Sequence, residues 1–147
     1  MHWLSCTCGS TWREWGHLFL RIVTGLIFFM HGYQKVVTSG VENTISFFAG
    51  VGIPFANVLA YLVAYGELIG GAFLIVGLLT HWVAKADILI MLGAIYFVHW
   101  SNGFSMSNGG YEYALLLLAA SVYFVMSGSG KYSIDAHLFK KSEPAVM

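Results

Sequence analysis

The chain has 147 residues, of which 58% are apolar and only 10% charged, where an ordinary soluble domain carries about 25% charged residues. Its formal net charge is zero and its mean hydropathy is +0.72, which excludes a soluble fold and gives nucleic acid nothing to bind. Length allows one compact domain, and two cysteines, Cys6 and Cys8, are too few and too close together for a disulfide framework.

Met1–Trp15 reads as a leader at the membrane interface, anchored by Trp3, Trp12 and Trp15. No cleavage site of the A-x-A kind follows, and the next apolar run is too long for a signal peptide. Cys6-Thr7-Cys8 is C-x-C, not the C-x-x-C of dithiol oxidoreductases, so both cysteines read as incidental.

Residues 16–37 form the first predicted span. On a helix, Arg21, Thr24, Gly25, Phe28, His31, Gly32 and Lys35 share an arc of about 120°, while Ile22, Val23, Leu26, Ile27 and Met30 turn toward lipid. The stretch 38–57 is too polar to span. Val41, Ile45 and Phe48 recur there at helical spacing and predict a short amphipathic helix on the membrane. Gly50, Gly52 and Pro54 end it and open the second span.

Residues 58–79 are the second span, a run of 22 with one charge, Glu67, at its middle. Its length on a helix is about 33 Å, one hydrocarbon thickness. Ala60, Ala64, Gly70 and Gly71 lie within about 60° of Glu67, so one face is small and acidic. A carboxylate at that depth costs roughly 2.5 kcal/mol or more and must face protein, a partner or a cavity. The third span is 82–100, bounded by Trp82 and Trp100 and containing Asp87 and His99. A Gly/Asn/Ser loop leads to the fourth, 110–127, which opens with Glu112. Residues 131–147 form a tail with a short helix expected around Asp135–Lys140.

The predicted fold is therefore all-α: an integral membrane four-helix bundle spanning 16–130, with an amphipathic segment between the first two helices. Four spans put both termini on one side. That side and the loop between spans two and three hold Arg13, Lys85, Lys131, Lys140 and Lys141, against Lys35 alone on the other. The positive-inside rule then makes both termini cytoplasmic.

Six side chains are candidates for ligand binding: Arg21, His31, Lys35, Glu67, His99 and Glu112, with His31, Glu67 and Glu112 the candidates for catalysis. Arg21 and Glu67 are expected to pair in the bundle interior. Two readings of that pair stand side by side: an ion pair that fixes helix register, or part of a polar cavity that holds a ligand or relays protons. His31, Lys35, His99 and Glu112 are placed by position near the outer face. They read either as one cationic mouth for an anion or a quinone oxygen, or as four groups separately facing headgroup water. No paired-ligand spacing supports a metal site. No nucleotide loop, nucleophile elbow or zinc-protease helix occurs.

Taken in order, Arg21-x3-Gly25, His31-Gly32-x-x-Lys35, Gly52-Ile53-Pro54, Glu67-x-x-Gly70-Gly71, Gly77-Leu78-x-Thr80, Glu112 and Gly128-x-Gly130-x-x-Ser133-Ile134-Asp135 resemble the DoxX (DoxD/DoxX) family of small membrane proteins. The resemblance covers residues 16–138 and leaves the leader outside. It implies a four-helix membrane bundle in the inner membrane of a bacterial or archaeal cell. It also implies membership of a thiosulfate:quinone oxidoreductase or a related redox assembly, working with membrane quinone and a redox partner subunit, or as a homo-oligomer. A non-catalytic scaffold and a small-molecule carrier are the alternatives.

Overall fold

The structure, a computed structural model, describes residues 9–138. Trp3, Cys6, Cys8, Lys140 and Lys141 lie outside the described residues. Every regular element among those described is helical. Helix α1 (Ser10–Tyr33) runs unbroken into a π-helical turn, Gln34–Thr38. It is followed by α2 (Val41–Gly50), α3 (Ala56–Val76) and α4 (Thr80–Gly93). Helix α4 likewise passes into a π-helical segment, Ala94–His99, before a loop leads to α5 (Glu112–Ser127) and the short α6 (Ile134–Leu138).

Two helical runs, Ala56–Val76 and Thr80–Asn102, are long and apolar enough to cross a bilayer, and Glu112–Ser127 is a shorter apolar helix. What faces outward is as informative as length. Phe19, Leu62, Leu89 and Leu116, one from each long helix, are each more than 60% exposed. Hydrocarbon satisfies such a surface and water does not. The protein is an all-α membrane protein.

The inner faces follow the helical repeat. Arg21, Thr24 and Phe28 are buried on α1, while Ile22, Val23, Leu26 and Met30 are exposed. On α3 the buried set is Ala60, Ala64, Glu67, Gly70, Gly71 and Leu74. Small residues let these two helices pack almost backbone to backbone. A Cβ on Gly25 would come 2.8 Å from the Gly71 carbonyl oxygen, and one on Gly71 would come 2.6 Å from that of Gly25. Helix α3 also packs on α4, α4 on α5, and α5 touches α1, closing a four-helix ring. Phe28, Leu74, Met91, Leu117 and Phe124 fill its centre. Helix α2 lies outside the ring against α3, burying Val41 and Phe48 beside Ala60 and Ala64.

Two turns set the level of everything that follows. Helix α3 ends in a Schellman motif at Gly77 (φ 73°), where Leu78 N–H donates to the Phe73 carbonyl. Leu79 then takes a left-handed conformation (φ 51°) and α4 begins. Both ends of the described chain meet at this side of the ring: Glu14 accepts from the Lys131 N–H, and His17 hydrogen-bonds the Tyr123 hydroxyl.

Candidate functional site

Contacts across the α1–α3 seam fix the depth of each charge. Gly25 faces Gly71, Gly32 faces Leu68, and Arg21 lies against Gly77. Arg21 is therefore ten residues along α3 from Glu67, roughly 15 Å at 1.5 Å per residue. The expected Arg21–Glu67 pair does not form. Periodicity put the two side chains on facing surfaces but at different heights.

Arg21 is 1% exposed and is held by the main chain, with its Nε alone left unpartnered. Its guanidinium donates to the carbonyls of Ser129 and, at 2.6 Å, Tyr132. Beside it the Asp135 carboxylate accepts from Leu79 N–H at 2.8 Å and Thr80 N–H at 3.0 Å. The start of α4 is thus capped by a residue from the far end of the sequence. Asp135 N–H returns a bond to the Gly77 carbonyl. Asp135 appears in sequence only as part of a tail motif, and nothing local identifies its target.

Glu67 pairs with Lys35 instead, at 2.5 Å, the one ion pair among the described residues. Lys35 was expected to extend outward. It sits in the π-helical turn at the end of α1, on the inner arc that its spacing predicts, and reaches across to α3. Its side chain keeps 25% exposure and that of Glu67 only 5%.

Asp87 joins this tier from α4. It is 1% exposed, and its Oδ2 is buried without a hydrogen-bond partner. A Cβ on Gly70 would stand 4.0 Å from its Oδ1, and Gly70 is one turn along α3 from Glu67. Sequence depth placed Asp87 with Arg21; the structure puts it within one turn of the Glu67 level, beside Gly70. Asp87 also lines a groove of about 560 Å³ between α3 and α4.

The other candidates are not gathered into one mouth. His31 and Tyr113 lie with ring centroids 6.2 Å apart, beside a hollow of about 260 Å³ that Gln34 and Met30 also line. His99 Nδ1 hydrogen-bonds the Gly109 carbonyl at 2.7 Å. Glu112 accepts from Met106 N–H at 2.6 Å. These last two organise the loop between α4 and α5, and neither lines the His31 hollow.

The DoxX family model matches residues 16–100. A Bacillus subtilis protein named "Putative oxidoreductase CatD" is 40% identical over 86% of this chain and 90% of its own. An uncharacterised Haemophilus influenzae protein is 35% identical over 88% of this chain and 96% of its own. A Mycobacterium tuberculosis protein named an uncharacterised membrane protein is 29% identical, covering 84% and 81%. No solved structure matches the chain. The chain belongs to the DoxX family.

Proposed function

We propose that the protein is the membrane subunit of a redox assembly that delivers electrons to membrane quinone. The observation that carries this is the tier of ionisable groups from three helices, Lys35, Glu67 and Asp87, at the middle of an otherwise apolar bundle. Ionisable side chains at such depth mark ligand or proton pathways in membrane proteins. A relative carrying an oxidoreductase name supports the redox class. The oxidation of a sulfur substrate is assigned in this reading to a partner subunit. With thiosulfate as reductant, two thiosulfates join as tetrathionate and give up two electrons. Those electrons and two protons convert one quinone to hydroquinone.

A scaffold reading has its own support in Arg21 and Asp135, whose guanidinium NH2 groups and carboxylate oxygens bond to main-chain groups of the fold. Purification in mild detergent from a native membrane separates the two. Under the redox reading, solvent extraction of the purified protein yields quinone near one per chain, and a soluble redox subunit co-elutes. Recovery of neither would leave the scaffold.

A further inference from the structure

The groove between α3 and α4 is walled by aromatic and aliphatic side chains and has one carboxyl, that of Asp87, among its lining residues. Tyr61 and Tyr65, stacked in parallel with centroids 6.3 Å apart, stand at one end; Phe73 and Trp82 stand at the other. From Tyr61 to Phe73 the groove runs twelve residues of α3, about 18 Å. Between them Gly66 and Gly70 lower its wall, and the Asp87 carboxyl forms part of its floor. The volume of about 560 Å³ falls in the range of small-molecule sites, which are mostly apolar with a few placed polar groups.

Asp87 argues that the groove has an occupant. Its Oδ2 is buried without a hydrogen-bond partner, an orphaned buried carboxyl is costly, and rotation about χ2, a soft torsion, turns the carboxyl toward the groove that Asp87 lines. A lipid acyl chain brings nothing to satisfy it, and neither does the apolar face of another helix. An oxygen-bearing ring does: a carboxylate accepts from a ring hydroxyl, and a protonated carboxyl donates to a ring carbonyl. Flat aromatic walls and outward-facing apolar surroundings suit a planar molecule arriving through the bilayer.

We infer that this groove is a binding site for a membrane-dissolved quinone or hydroquinone, one ring oxygen on Asp87 and the ring between Gly66, Gly70 and the aromatic walls. The inference rests on the quinone-linked reading above and adds to it a place.

The test uses the purified full chain in detergent and a decyl-tailed benzoquinone as probe. Trp82 lines the groove and is 67% exposed, so bound quinone quenches its fluorescence. Wild type should show saturable quenching, lost at its Trp82 component in Trp82→Phe. Asp87→Leu should weaken binding at least tenfold. Gly66→Leu fills open space, since a Cβ at Gly66 meets only Ile90 Cδ1 at 3.9 Å. It should block binding while the protein stays folded, because Leu favours a helix interior over Gly. Decanol, a tail without a ring, should not compete.

Saturable binding that both variants leave intact would overturn the groove and keep the quinone reading. Absence of binding to wild type would remove both. Competition by decanol at equal strength would make the groove an acyl-chain furrow. A wild-type dimer that Gly66→Leu converts to monomer would make it a helix-docking face, and either outcome overturns the proposal.

Discussion

The two tiers of charge in this bundle are built on opposite terms. At the side where the two ends of the described chain meet, Arg21 and Asp135 are bonded to main-chain groups of Ser129, Tyr132, Leu79 and Thr80. In the middle, Lys35 and Glu67 hold only each other, and Asp87 leaves an oxygen bare. Main-chain partners cannot rotate away, so the first arrangement fixes the position of helices. Side-chain partners can exchange for a ligand, so the second keeps chemical capacity. Buried charge alone does not distinguish structure from function; the kind of partner does.

The sharpest way to break this comparison is Arg21→Leu. It leaves two carbonyls without a donor and should cost about 3 kcal/mol or more, read as a fall in unfolding midpoint in detergent. If it proves milder than Lys35→Met, the terminal tier is not the structural one. Next come Lys35→Met and Glu67→Gln, each expected to cost about 1–3 kcal/mol, with the double variant losing less than the sum. Arg21→Leu combined with Glu67→Gln should instead add within about 0.5 kcal/mol, as sites that do not touch do. Asp135→Ala should cost about 1 kcal/mol through the lost cap, and Asp135→Asn should recover most of it, since Asn caps nearly as well. The smallest effect belongs to Asp87→Leu. No hydrogen bond to Oδ2 is lost, so the unfolding midpoint should stay level or rise.

Much of this was legible in the sequence, and the reason is geometric. Hydropathy reports long apolar helices, and a 3.6-residue repeat makes small and polar residues report inner faces. Ala60, Ala64, Glu67, Gly70 and Gly71 are buried together as their spacing requires. Height across a helix pair is another matter, because it depends on how far two helices slide along each other. Gly25 against Gly71 sets that slide, and it carries Arg21 past Glu67 to Gly77. Lys35 lies on the inner arc that the repeat predicts, but the same slide that carries Arg21 past Glu67 brings Lys35 to it, and that pairing has no signature in sequence. Asp135 caps α4 across 55 residues of sequence, a distance over which composition and periodicity say nothing. The expected outer mouth failed similarly. Shared depth does not bring side chains to one point, and His99 and Glu112 are committed to their own loop.

The cap on α4 bears on how the chain is made. Translation produces the Gly77–Thr80 turn long before Asp135 leaves the ribosome, and Arg21 earlier still. Until residues 129–135 arrive, Arg21 has neither of its carbonyls and the first amides of α4 have no acceptor from the tail. A nascent chain halted before Ser129 would therefore hold its long helices with an unanswered guanidinium between two of them. The final segment acts as a clasp that closes only when synthesis is nearly done, and a chain that has lost it should be a ready substrate for membrane proteases.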